Sequence, residues 1–192
     1  MDVMLDLQVP AGGLLAVPMS RAEFDRLDVA DELPRRSEWY DGLCVVSPAA
    51  RPHSAVSARI AALLLPFVAA DHELLVEAGW RTPSGTFIPD FAVCSVDDPG
   101  DPYLEGPPLL VIEVLSPSTR RVDLGRKREL YALGGASWYW VVDPTVPAAI
   151  VFERHDDDFV EVQRIGPGET AATVGPYRVP TSPDALVRRG GS

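Results

Sequence analysis

The chain has 192 residues, 46% hydrophobic and 23% charged, which suits one globular domain with a sizeable core. Its net charge of -11 lacks the basic footprint usual for nucleic-acid binders. The two cysteines, Cys44 and Cys94, lie in apolar runs without a CxxC motif or Cys/His cluster, so buried free thiols are expected rather than a structural zinc site.

Taken in chain order, Asp2 and Asp6 stand where a secretory signal needs basic residues. The stretch AGGLLAVPM is too short and too broken to span a bilayer. A cytoplasmic protein without membrane attachment is expected. Residues 1–19 read as an N-terminal extension, 20–186 as the domain, and 187–192 as a flexible tail. Ser20 and Glu23 form a capping-box pattern that opens a short helix to about Asp28. SEWYDGLCVV predicts two short strands joined at Asp41-Gly42, a dipeptide that favours primed hairpin turns.

Pro52 suits the first turn of the next helix, where Val56, Ile60, Leu63, Leu64 and Phe67 follow the helical period. Pro66 bends or ends it. Strands are predicted over 73–77 and 86–95, separated by TPSG. The proline-rich loop 97–108 leads to a strand over 109–115, which Ser116-Pro117 ends. A helix over about 121–133 stops at Gly134-Gly135. SWYWVVD is a further strand, and 148–153 with 159–163 form a closing hairpin. The fold class expected is α/β: a mixed central sheet flanked by helices, with an N-terminal helix and hairpin and a C-terminal hairpin. No glycine-rich phosphate loop follows a strand, so a nucleotide-cofactor fold loses ground.

Two carboxylates interrupt apolar strands: Asp90 after Pro89, and Glu113 within LLVIEVL. A carboxylate in such a place is costly unless paired, hydrogen-bonded or bound to a metal. Two on neighbouring strands would repel each other, and a divalent cation removes that repulsion. Magnesium suits best, because it takes oxygen ligands and often uses one or two protein carboxylates. Fourteen residues beyond Glu113 stands Lys127, the one lysine beside sixteen arginines. Read alone, it pairs with Asp123 on a helix surface at i, i+4, contributing about 0.3–0.5 kcal/mol. The bias toward arginine elsewhere points instead to a position that needs a compact ammonium. The run Arg120, Arg121, Arg126, Lys127 and Arg128 is locally basic and would suit a phosphate, or would equally be a solvated helix face.

Pro89-Asp90, VIEVLSPST at 111–119, the spacing Asp123, Lys127, Tyr131, and WYWVVDP at 138–144 resemble the bacterial Uma-type endonucleases. That family belongs to the restriction-endonuclease-like superfamily, whose pattern is Pro-Asp, then Asp or Glu, one residue, and Lys. The resemblance covers roughly 20–186. It implies a restriction-endonuclease-like core, with Asp90 and Glu113 as metal-binding acids. Glu38, two residues before Tyr40-Asp41-Gly42, and His53 match further polar positions near the family's site. The superfamily lysine would fall two residues after the glutamate, where this chain has Leu115; Lys127 replaces it from the following helix.

The expected function is therefore metal-dependent endonucleolytic hydrolysis of DNA, with magnesium as cofactor and manganese as substitute. Catalytic positions are Asp90, Glu113, Lys127, Glu38 and His53. Lys127 would orient the attacking water, Glu38 would complete the metal's outer shell, and His53 would assist proton transfer. DNA is the expected partner, no membrane is, and a homodimer is compatible. Two rivals stand beside this reading: an inactive binding module on the same fold, and a hydrolase of a smaller phosphate ester, which the acidic surface would tolerate better.

Overall fold

The computed structural model of the chain describes residues 14–47, 51–172 and 174–187; most of the expected extension and tail lies outside them. β1 (Leu15–Pro18) precedes α1 (Arg21–Val29), which buries Phe24 and Leu27. The capping box forms in part as read, with Ser20 Oγ accepting the Glu23 N–H at 3.2 Å. β2 (Ser37–Tyr40) and β3 (Leu43–Val46) make the predicted hairpin. Asp41 and Gly42 both take left-handed φ, 53° and 74°, as a primed turn requires. β1 joins β3, while β5 (Trp80–Thr82) and β6 (Gly85–Phe87) extend the other side. The result is an antiparallel sheet of order β1-β3-β2-β6-β5. Pro18 is tolerated in β1 because that strand is an edge.

The second sheet is the expected mixed one. It contains β4 (His72–Val76), β7 (Phe91–Ser95), β8 (Leu110–Val114), β9 (Trp138–Asp143), β10 (Ala148–His155) and β11 (Asp158–Ile165). Their order is β11-β10-β9-β8-β7-β4. β8 and β9 run parallel, so a crossover must join them. That crossover is α3 (Arg120–Val122), a π-helical turn at Asp123–Lys127, and α4 (Arg128–Leu133). It ends where Gly134 N–H bonds Leu130 O and Gly135 turns to φ 94°.

Two sequence expectations change. The sequence reading places one sheet, yet a second is built onto the predicted hairpin, from strands of three residues that leave too little pattern to read. The single strand expected over 86–95 is two strands, one in each sheet. Pro89 has no N–H to extend a ladder, and the chain crosses between sheets at Ile88-Pro89-Asp90.

The central strands β7, β8 and β9 are covered on both faces and are apolar along most of their length, whereas β4 and β11 at the edges are largely polar or exposed. Ala92, Cys94, Val111, Tyr139 and Val141 pack toward the first sheet and α4, against Tyr40, Trp80, Phe87 and Tyr131. Phe91, Val93, Leu110, Ile112 and Val114 pack on the opposite side with Val56, Ile60 and Leu64 of α2 (Arg51–Leu64). Pro66 falls in the 3₁₀ turn that closes α2. α5 (Pro183–Val187) is tied to α2 by Arg59 Nη1 donating to Leu186 O at 3.1 Å. Cys44 and Cys94 are buried free thiols, as expected. Among the described residues no helix is long and apolar enough to cross a membrane.

Candidate active site

The antiparallel register of β7 and β8 pairs Phe91 with Ile112 and Ala92 with Val111. Continued by one residue, that register sets Asp90 opposite Glu113, on the face of Ala92 and Val111 that looks toward the first sheet. The two acids that the sequence marked therefore share one place. Glu38 reaches it from β2, His53 from α2 and Lys127 from the crossover helix. All five line one cavity of about 30 Å³, with Arg36 and Asp123 beside them. Glu38, Asp90, Glu113, Asp123 and Lys127 are each 6% exposed or less, so every charge here must be answered by a partner.

Asp90 is answered three times. Its Oδ2 accepts the Val114 N–H at 2.8 Å and lies 2.8 Å from His53 Nε2, while its Oδ1 accepts Arg36 Nη2 at 2.9 Å. Burial alone would raise the Asp90 pKa. The hydrogen bond and charge of His53, the Val114 N–H and Arg36 overcome it and hold the carboxyl below its ordinary value. An ionised carboxylate only accepts, so His53 Nε2 carries the proton. His53 Nδ1 turns to Ser57 Oγ within its own helix, at 3.4 Å. Both ring nitrogens are thus engaged, and His53 is placed as a support for Asp90.

Glu113 depends on the crossover helix. Its Oε1 accepts Lys127 Nζ at 3.1 Å and Tyr131 Oη at 2.6 Å; Oε2 has no hydrogen-bond partner among the described residues. Burial pushes the Glu113 pKa well up; Lys127 opposes this, while Asp90, Asp123 and Glu38 add to it. Lys127 also lies 2.9 Å from Glu38 Oε2 and 3.9 Å from Asp123 Oδ1. Burial opposes its charge, but Glu113, Glu38 and Asp123 outweigh burial and raise its pKa, so it remains an ammonium. The surface pairing of Lys127 with Asp123 is therefore corrected: both are buried, and Asp123 is the most distant of the three acids. Glu38 is anchored by its other oxygen, Oε1, which accepts the Ile88 N–H at 2.8 Å.

The π turn makes this possible. It widens the helix at Asp123–Lys127 and presents both residues inward, a distortion frequent at functional sites. Tyr139 Oη donates to the Asp123 carbonyl at 3.1 Å, so the widened turn is braced from β9. Asp123 itself has a pKa pushed up to about 6, by burial first, with Lys127 and the Thr119 hydrogen bond opposing.

Arg36 and Asp123 line the site and are not among the residues predicted for it; Arg36 is the less expected of the two. It takes a left-handed φ of 64° just before β2 and bridges Asp90 to Glu77, the latter at 2.6 Å. Its partners lie 41 and 54 residues away, and only the doublet Arg35-Arg36 before the hairpin hints at it. Burial opposes its charge, yet the fields of Asp90 and Glu77 raise its pKa.

Around the cavity four carboxyl groups (Glu38, Asp90, Glu113, Asp123) face two fixed cations (Arg36, Lys127), an excess of two negative charges when all four are ionised, and burial pushes Glu113 and Asp123 toward their neutral forms while that excess is unanswered. A divalent cation would balance it. Among the described residues no group of three or more His, Cys, Asp or Glu is arranged to hold a metal. An ion would rest on two carboxylates with water and substrate oxygens, which magnesium accepts. The free Oε2 of Glu113 and a cavity on the scale of an ion with a water fit such an occupant.

Residues 21–176 match the family model of Uma2, described as "Putative restriction endonuclease". The fold matches the crystal structure of "a putative nuclease belonging to DUF820" from Anabaena variabilis, with a TM-score of 0.68. The match covers 84% of this chain and 96% of that one at 18% identity, a likeness of fold. No curated protein matches the chain.

Proposed function

The chain belongs to the Uma2 family, and we propose that it is a magnesium-dependent nuclease that hydrolyses phosphodiester bonds of DNA. The observation that supports this most is the position of Lys127, brought from a helix to 3.1 Å from Glu113 inside a cavity short of positive charge. Asp90 and Glu113 would hold the ion, which when bound supplies Lewis-acid polarisation of the phosphoryl group and an activated water.

The chain's own residues do the rest. Lys127 has three N–H donors, and Glu38 and Glu113 take two of them. The third is available to the phosphoryl oxygen as its charge grows, where one fixed donor is worth about 2.7–4 kcal/mol. Glu38 fixes the ammonium, and Tyr131 fixes Glu113 Oε1 so that Oε2 is left for the ion. His53 and the Val114 N–H orient Asp90 through Oδ2. Asp123, with its pKa pushed up to about 6 by burial, is suited to take a proton from the attacking water near neutral pH.

The test is cleavage of supercoiled, linear, branched and single-stranded DNA with manganese, with and without EDTA. Activity in the parent, lost in Asp90→Asn, Glu113→Gln and Lys127→Arg, is expected. Calorimetry should show manganese binding that both carboxamide variants lose. DNA bound but uncut under every condition would select the binding module instead. The net charge of -11 favours one second reading, hydrolysis of a smaller phosphate ester. Turnover of such an ester with all DNA left intact would select it.

A further inference from the structure

Resting on the nuclease reading, we propose that Arg36 is a resident counter-ion: it holds Asp90 until a divalent cation takes that carboxylate, then turns on its Glu77 tether to the substrate phosphate. The oxygens of Asp90 carry the argument. Oδ2 already accepts from Val114 N–H and sits on His53 Nε2, so its lone pairs are used. An ion can reach Asp90 only through Oδ1, the oxygen that Arg36 Nη2 holds at 2.9 Å. A dication and a guanidinium on one oxygen repel strongly at this burial, so one must yield.

Arg36 has somewhere to go. Its Nη1 is bound to Glu77 Oε1 at 2.6 Å, and the Glu77 side chain is 44% exposed, at the solvent edge of the site. Arg36 also lines a second cleft beside the first, with Pro34, Ile88 and Tyr103. Both members of the Arg36–Glu77 pair hold left-handed backbone, φ 64° and 53°, which costs a non-glycine residue free energy and concentrates at functional positions. Released from Asp90, a planar guanidinium at the mouth of the cavity matches two oxygens of a phosphate.

The exchange makes metal and DNA binding interdependent, and that linkage can be measured. Manganese affinity is measured by calorimetry on the full chain. DNA affinity is measured by anisotropy, with calcium as a non-cleaving ion. In Arg36→Met, manganese should bind about 10-fold more tightly or better, and the gain in DNA affinity that calcium brings should fall about 5- to 10-fold. Glu77→Gln should act in the opposite direction on manganese, because Arg36 loses the carboxylate that receives it. Arg36→Gln removes the charge while keeping a polar head, so it should also tighten manganese; it serves if the methionine variant does not fold. Manganese affinity unchanged or weaker in the Arg36 variants overturns the exchange. So does a DNA affinity reduced by the same factor with and without calcium. If Glu113→Gln abolishes manganese binding while the Arg36 variants match the parent, only the exchange falls. If the parent and all variants fail to bind manganese, the metal-dependent reading falls with it.

Discussion

Replacing Lys127 by methionine keeps the stem and removes the ammonium, and its cost can be worked from the site. The ammonium answers Glu38 at 2.9 Å, Glu113 at 3.1 Å and Asp123 at 3.9 Å, all of them buried. Without it, the least costly remedy is to protonate Glu113, which is already pushed toward its neutral form by burial. In the unfolded chain Glu113 titrates near the ordinary value of 4.5, so holding it neutral at pH 7 costs about 3–4 kcal/mol. That agrees with the roughly 3–5 kcal/mol expected on breaking a buried ion pair. At pH 5 the same protonation costs less than about 1 kcal/mol, so most of the loss should vanish. The sign is set by a raised carboxyl pKa: the folded form binds the extra proton, and acid favours it. Urea unfolding followed by tryptophan fluorescence in EDTA, at pH 7 and pH 5, reads both values. A loss below about 1 kcal/mol at pH 7, or a loss equal at the two pH values, would refute the buried cluster as the source of the lysine's importance.

Asp123→Asn tests the other raised carboxyl. Its pKa of about 6 lies above the ordinary 3.8, so its penalty on the folded state builds between those two values, is full above about pH 6 and fades on acidification toward 3.8. The stability gap between parent and variant should move toward the parent by up to roughly 3 kcal/mol between pH 7 and pH 4; a constant gap counts against the assignment. Gly125 sits in the π turn with no atom within 4 Å of an added Cβ, so Gly125→Ala should stabilise by about 0.5–1 kcal/mol in thermal unfolding. A destabilised variant would mean that the turn needs the glycine backbone. Asp143 accepts the Thr145 N–H at 2.9 Å and its hydroxyl at 2.6 Å and pairs with Arg120; these partners hold its pKa down against burial. Asp143→Ala should cost about 2–3 kcal/mol at pH 7, and less as pH falls through the carboxylate range, by urea unfolding.

Asp90 and Glu113 were legible because a carboxylate inside an apolar strand breaks a pattern. Lys127 was legible through composition, as the single lysine of an arginine-rich chain. Glu38 and His53 came from resemblance, which implied only that they lie near the site; Glu38 lies against Lys127 there, and His53 against Asp90. Arg36 left only the faint hint of the Arg35-Arg36 doublet, since a loop arginine is ordinary and its partners come together only when the two sheets pack. The π turn was silent, because the residues at Asp123–Lys127 read as a plain helix. β5 and β6, at three residues each, fall below the length at which alternation can be read, and the break at Ile88-Pro89-Asp90 was hidden inside one continuous apolar run.

Leu115, two residues after Glu113, is 3% exposed and belongs to the core beside Leu130 and Tyr131. An apolar side chain fills that strand position, and the ammonium reaches Glu113 from the crossover helix instead. A string search for glutamate, one residue, lysine passes this chain by, however permissive its scoring. A search phrased in space, for an ammonium about 3 Å from a strand carboxylate whichever element supplies it, would retrieve the chain. It would also retrieve any other chain in which a helix, rather than the carboxylate's own strand, carries the ammonium.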